Sequence, residues 1–318
     1  MKFYRFYKRF GLYMILVLVF LFFSIFAPRF FSAANFINIL RQVSIFGTAV
    51  IGAAIVMIAG QCDMSVGGMV AMGGIIAAMA MTQWGMPMWA AMVLTIVFCV
   101  AVGFINGFLT VTFFIPGFIA SLGMMLVLNG LAYVVSGGYA IFGLPSNYSF
   151  WGQGYIGIIP VPVIVFVVIC VLGTFLMTKT YYGRSIYALG GNPTAANLAG
   201  INVKKATIIA YMLCGLVAAF AALMQLSRSN SAQPGVGSNY PFDCMSAAVL
   251  GGISMSGGKG KVYGAIVGVL IIGILNNGLQ LMGCNANLVD VVKGLILIFA
   301  VGIDCFYNNT GSVSARLV

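Results

Sequence analysis

The sequence predicts an all-α polytopic membrane protein of about ten transmembrane helices, and three observations carry that prediction. Of its 318 residues, 62% are apolar and only 6% charged, whereas a soluble protein carries about 25% charged residues. A soluble domain of this size has no interior large enough for so many apolar side chains. The apolar residues also fall in runs of bilayer-crossing length, about 20 residues each. Finally, the basic residues fall between those runs, and they do so unevenly. Ten crossings use about 200 residues and leave only connections, so 1–318 reads as one membrane domain with no room for a soluble enzyme domain.

The first crossing is predicted by MKFYRFYKRF, which sets Lys2, Arg5, Lys8 and Arg9 ahead of an apolar run from Phe10 to Ala27. A cleaved secretory signal has a shorter apolar core, about 7–15 residues, and a small-residue cleavage site. Here the run is long and ends in Pro28-Arg29, so it reads as a retained start-transfer helix. From Arg29 to Arg41, Phe36, Ile39 and Leu40 fall at helical spacing opposite Asn35, Asn38 and Arg41, which predicts a segment lying along the interface. Further crossings are predicted at 42–60, 64–82, 88–112, 117–136, 160–178, 207–226, 244–257, 262–282 and 287–306.

Charge orients this scheme. With the amino terminus inside, Lys2, Arg5, Lys8, Arg9, Lys179, Arg184, Lys204, Lys205, Lys259, Lys261 and Arg316 fall on the cytoplasmic side. Only Arg29, Arg41 and Arg228 fall outside, with Lys293 inside a helix. The bias follows the positive-inside rule and places both termini in the cytoplasm. It also explains the net charge of +11 without nucleic acid, since no basic patch is interleaved with aromatics.

The two halves resemble one another. Asp63 opens an apolar helix in QCDMSVGGMVAMGG and Asp243 opens one in PFDCMSAAVLGG; Asn106 and Asn276 follow at distances of 43 and 33 residues. On the charge-derived topology the two helices run in opposite senses, as in an inverted-topology repeat with a pathway between its halves. GxxxG at Gly103/Gly107 and Gly264/Gly268 predicts close helix packing.

Catalysis is excluded by what is missing. There is no His and no Glu, and the four carboxylates are all Asp; acid/base, metal and triad chemistries lack their parts. The seven cysteines show no metal-ligand spacing and read as small core residues. No metal, cofactor or catalytic residue is expected. A GGKG stretch invites comparison with a phosphate loop, but Ile253 stands where its first Gly belongs and Gly260 where Ser or Thr belongs. Any energy from ATP must come through a partner.

The polar residues in the runs carry the remaining signal. Asp290 and Lys293 lie three apart on one helix face and predict a neutralising pair. Asp63 and Asp243 each precede small residues and predict helix caps. Asp63, Asn106, Asn129, Asp243, Asn276 and Asn277 are the candidates for a translocation path, since amides suit hydroxylated solutes; interhelical hydrogen bonds explain the asparagines equally well.

The connection 179–206 is longer than helix–helix loops of about 2–8 residues. Within it Thr194 to Leu198 predicts a short helix, with Asn192 as cap and Pro193 at the first position. Gly190-Gly191 and Gly200 punctuate its ends as hinges and stop. Small Ala195 and Ala196 leave a surface that a partner groove can approach closely. A docking knob for a cytoplasmic partner is the expectation.

Several stretches in order then identify a resemblance: SAANFINILRQVSIFGTAVIGAAIVMIAGQCDMSVGG, FIPGFIASLGMMLVLNG, GRSIYALGGNPTAANLAGINVKK, SNSAQPGVG and AAVLGGISMSGGKGKVYGAIVGVLIIGILNNGLQLMG. Together they resemble the membrane permease of ribose-type ATP-binding-cassette importers, which serve pentoses, hexoses and the autoinducer-2 signal. The resemblance runs from about Phe31 to Asp304. It implies the cobalamin-importer-like (type II) permease fold, two permease copies in lipid, two ATPase subunits below and an extracytoplasmic sugar-binding protein above. It also implies that the 183–201 loop is the coupling element, carried by Gly183, Arg184, Gly190, Asn192, Ala195, Ala196 and Gly200. The chain departs from the family at Pro193, where an acidic residue is common, and at Cys62, where Ile is usual. It also lacks a basic residue between Thr112 and Ile115. The competing function is an ion-coupled secondary transporter in which Asp63 or Asp243 carries a proton or sodium.

Overall fold

The structure, a computed structural model, describes the backbone of residues 2–314 and the side chains of 12–302 apart from 286 and 300. The side chains of Lys2, Arg5, Lys8, Arg9, Asp304, Cys305 and Arg316 lie outside that range.

The long apolar runs become helices, and Pro or Gly stands at several of their ends. Helices α1 (Lys2–Phe26), α2 (Ala33–Ile58), α3 (Val66–Thr82), α4 (Met88–Thr112) and α5 (Gly117–Ser136) follow one another through short loops. Pro87 and Pro116 sit at the caps of α4 and α5, where a missing N–H costs nothing. A short turn α6 (Phe150–Gln153) and a two-residue hairpin, β1 (Tyr155–Ile156) with β2 (Ile159–Pro160), lead into α7 (Val161–Lys179). Then come α8 (Tyr181–Gly191), α9 (Pro193–Leu198), α10 (Val203–Ser229), α11 (Tyr240–Leu250), α12 (Ala265–Leu281) and α13 (Ala286–Ser314). Among the described residues six segments are long and apolar enough to cross a membrane, and Leu12–Phe26 and Val66–Thr82 are shorter apolar helices.

α2 and α10 form the packed centre, while α4, α5 and α7 turn apolar faces outward. Glycine makes the closeness possible. A methyl group at Gly107 would lie 2.7 Å from Ile208 Cα of α10, and one at Gly103 would overlap the Tyr211 carbonyl. On the second GxxxG, Gly268 meets Ala247 of α11 in the same way. Both predicted motifs are close-packing faces.

Two expected segments come out differently. The stretch 29–41 is not a separate interfacial helix, because Ala33–Ile58 is one continuous helix capped by Ser32. Two residues of its polar side bond to protein. Asn35 Nδ2 donates to Asn277 Oδ1 at 3.0 Å, and Arg41 donates to the Gln153 carbonyl at 2.8 Å. The predicted crossing at 244–257 is only the 11-residue α11, about 16 Å long and too short to span. It unwinds at Gly251-Gly252, and Gly252, Gly257, Gly258 and Gly260 all take positive φ, which side chains with a Cβ resist.

The loops sort as the charges predict. Tyr187 Oη donates to the Gly260 carbonyl at 2.8 Å and Gly258 N to the Ile58 carbonyl at 2.8 Å. Those bonds place Lys179, Arg184, Lys259 and Lys261 at one end of the bundle, hereafter the basic face. Arg41 and Arg228 meet at the opposite end through Gln153 and Asn38.

Candidate functional site

The basic face carries the candidate site, and its projecting part is α8–α9. Thr180 caps α8 by accepting from Gly183 N at 3.2 Å. Asn192 Oδ1 accepts from Ala195 N at 3.0 Å, with Pro193 at the first helical position, as the sequence predicts. Gly200 takes φ +82 after α9, and the Ile201 N–H closes back on the Ala196 carbonyl at 3.0 Å. That is a left-handed helix stop, which favours glycine.

Three of the loop's residues behave otherwise than expected. Gly190 is not a hinge. It lies within α8, so close to the Ile58 carbonyl and Gly258 N that no side chain fits. Gly183 is similarly pressed against the Leu176 and Met177 carbonyls. Ala196 is 4% exposed, because the inward side of α9 faces the protein, so it offers no surface to a partner. Ala195 and Arg184 remain exposed, and Leu198 is 85% exposed at the tip.

Beside this element lies a cavity of about 750 Å³, walled by Gln61, Thr110, Phe114, Asn197, Asn202 and Lys204 among others. A second, of about 330 Å³, shares Gln61 and adds Cys62, Gly117, Phe118, Met245 and Met255. The turn 59–65 between them is pinned from three helices. Tyr211 Oη of α10 donates to the Cys62 carbonyl at 3.0 Å, Ser121 Oγ of α5 donates there at 3.1 Å, and Asn106 Nδ2 of α4 donates to Ser65 Oγ at 2.8 Å.

The path candidates thus divide. Asp63 and Asn106 are brought together through Ser65, with Asp63 Oδ1 accepting from Ser65 N rather than capping α3 from its first position. Asp243 lies inside the first turns of α11 and binds Lys293 Nζ at 2.9 Å; Asp290, the predicted partner, stands at 3.7 Å and accepts from Asn239. Asn277 is clasped with Asn35 by two amide hydrogen bonds of 2.9 and 3.0 Å. Asn129 and Asn276 are half-buried, and Asn276 Oδ1 has no hydrogen-bond partner. Ser65, Ser121, Tyr211 and Asn35 are polar anchors, and Gln61 a cavity-lining residue, that sequence reading missed. Hydroxyls in apolar helices mostly return to their own preceding turn, so no local signal marks those that reach across.

Asn277→Ala should therefore act on folding. Leaving the buried Asn35 amide short of a partner costs about 1–3 kcal/mol, visible as a lower thermal midpoint of the purified chain. An unchanged midpoint with lower transport would place Asn277 on the path instead.

Residues 35–301 match the family described as branched-chain amino acid transport system / permease component. The ribose import permease protein RbsC of Bacillus subtilis (strain 168) is 40% identical over 296 residues, covering 92% of this chain and 90% of the relative. RbsC of Escherichia coli (strain K12) is 37% identical, covering 88% of each. The xylose transport system permease protein XylH of Haemophilus influenzae is 32% identical, covering 86% of this chain and 89% of its own. No solved structure matches.

Proposed function

This chain belongs to the branched-chain amino acid transport system / permease component family, and from that membership we propose which solute it moves and how it is driven. It is the membrane permease component of an ATP-binding-cassette importer, a multi-pass protein that is not itself an enzyme. The cargo we propose is a monosaccharide of the ribose or xylose kind or a similar small polyol, because ribose and xylose permeases match nearly end to end. ATP hydrolysis belongs to partner ATPase subunits, since this chain has no phosphate loop, and an extracytoplasmic binding protein delivers the sugar. Two copies would line the pore, with ten membrane segments each, α11 being a half-segment, related as an inverted repeat of the cobalamin-importer type.

The observation that carries the coupling is α9. It is a capped helix on the basic face, with Ala195 and Leu198 turned outward. Gly183, Gly190 and Gly200 shape the element, Asn192 caps it, Ala196 seats it, and Arg184 and Ala195 meet the ATPase. Asn129, half-buried on α5, and Asn276, whose Oδ1 is buried without a partner, are the amides left to meet the solute. Asp63, Asn106, Asp243 and Asn277 serve the path by fixing its walls.

The decisive measurement is uptake of labelled sugar in cells or proteoliposomes. Uptake should survive collapse of the ion gradients and stop when ATP is removed. The reverse result would favour ion coupling through Asp63 or Asp243.

Orientation is a separate expectation: the basic face and both termini lie in the cytoplasm of a bacterial cell. In a chain stripped of native cysteines, a single cysteine replacing Lys2 or Ser312 should be labelled only by a membrane-permeant reagent. Labelling by an impermeant reagent in intact cells would reverse the assignment.

A further inference from the structure

Asp63 lies in the turn between α2 and α3 and is 4% exposed. Its Oδ1 accepts from Ser65 N at 2.9 Å and from Ser65 Oγ at 2.6 Å. No nitrogen or oxygen donor reaches its Oδ2, and the one further hydrogen bond to the carboxylate comes from the Cys214 thiol of α10, a weak donor. From α4, Asn106 donates to the same Ser65 Oγ, and its Oδ1 is buried without a partner. Asp63 and Asn106 thus each bond Ser65 through one side-chain atom and each hold a second, buried oxygen beyond it. The titratable groups facing Asp63 are Cys62 of the same turn, Tyr211 and Cys214 of α10, and Cys244 of α11. None of them is a cation. Asp243, the equivalent residue of the second half, has Lys293 at 2.9 Å; Asp63 has no such counter-charge among the described residues.

An ionised carboxylate buried with no cation is strongly disfavoured and gives way to the neutral acid. Protonating Oδ2 turns an acceptor served by no more than a weak thiol donor into a donor, and Asn106 Oδ1 is an acceptor that lacks one. A hard divalent metal ion would need about six or more oxygens, which this cluster does not present. We propose that Asp63 is a proton-binding site: in this conformation its carboxyl is the neutral acid, with the proton on Oδ2 and Asn106 Oδ1 as its acceptor. The adjoining Gln61 and Cys62 line the cavities of the basic face. Opening this turn to water would release the proton, so acid favours the closed turn.

Two measurements on the purified full-length chain test this. Infrared spectra at neutral pH should show a carboxylic-acid carbonyl band that Asp63→Asn removes and Asp304→Asn leaves in place. Should Asp63→Asn not fold, Asp63→Glu should shift the band instead. Absence of the band from the wild type at neutral pH overturns the proposal. The second is thermal unfolding against pH. A carboxyl protonated when folded but ionised when unfolded contributes fully below its ordinary pKa of about 3.9. Above that, it weakens folding about tenfold per pH unit until the folded group itself ionises. The wild type should lose stability with rising pH more steeply than Asp63→Asn. Equal slopes overturn the proposal. So does stabilisation of the wild type by sodium, relative to N-methylglucamine, that Asp63→Asn lacks, since a metal cation would then hold the site.

Discussion

Ala195→Arg should reduce ATP-driven uptake to background while the permease still inserts and folds. Ala195 is exposed on α9, between the Asn192 cap and the outward Leu198. A long cation there would face a docked ATPase rather than the packed interior of this chain. A misplaced charge desolvated in an interface costs several kcal/mol, which weakens binding by about a hundredfold or more. The check is co-purification of the ATPase with tagged permease, alongside sugar uptake. Normal uptake would remove α9 from the interface. Ala196→Arg makes the contrast: its site is 4% exposed, so the same substitution should lower the thermal midpoint of the isolated chain as well.

Lys293→Ala should be among the most destabilising single changes in the second half. Lys293 Nζ lies 2.9 Å from Asp243 Oδ2, with side-chain exposures of 14% and 10%. Removing the cation strands a nearly buried carboxylate, at a cost of about 3–5 kcal/mol. Replacing both partners, as in Asp243→Asn with Lys293→Met, leaves no buried charge to strand, since Asp290 is half exposed and keeps Asn239, and should recover most of that loss. Thermal midpoints of the single and double variants in one detergent decide the matter. A double variant as unstable as the single would mean that packing, not charge, is what Lys293 supplies.

The helices were legible where composition changes sharply. The observed α4 and α5 coincide with the segments expected from sequence, because Pro87 and Pro116 mark their starts and the runs between are uninterrupted. Charge counting recovered which loops share a face, since that rule needs only order along the chain. What failed was anything depending on a neighbour distant in sequence. Asn35 and Arg41 look like solvent-facing residues of an interfacial helix until Asn277 and Gln153 are brought beside them. Tyr181–Gly191 holds three glycines and reads as loop, yet it is helical because its buried side, Ile186 and Leu189, packs on the bundle. α11 reads as a crossing because a hydropathy window counts apolar residues and does not register the unwinding at Gly251-Gly252. At the site, the Asn192 cap and the Gly200 stop were legible because both are local devices. The inward turn of Ala196 was not, because composition does not say which side of a one-and-a-half-turn helix meets the protein.

The contact of Gly190 with Ile58 and Gly258 has a mechanical consequence. It joins backbone to backbone, with no side chain between that could change rotamer and absorb a displacement. A stroke delivered to α9 therefore reaches the end of α2 with little slack. α2 is 26 residues long, about 39 Å at 1.5 Å per residue, and its far end is clasped to α12 through Asn35 and Asn277. Driven at α9, the helix would act as a lever with its load at the opposite end of the bundle. A tilt of a few degrees at the driven end becomes a shift of a few ångströms where the solute would enter.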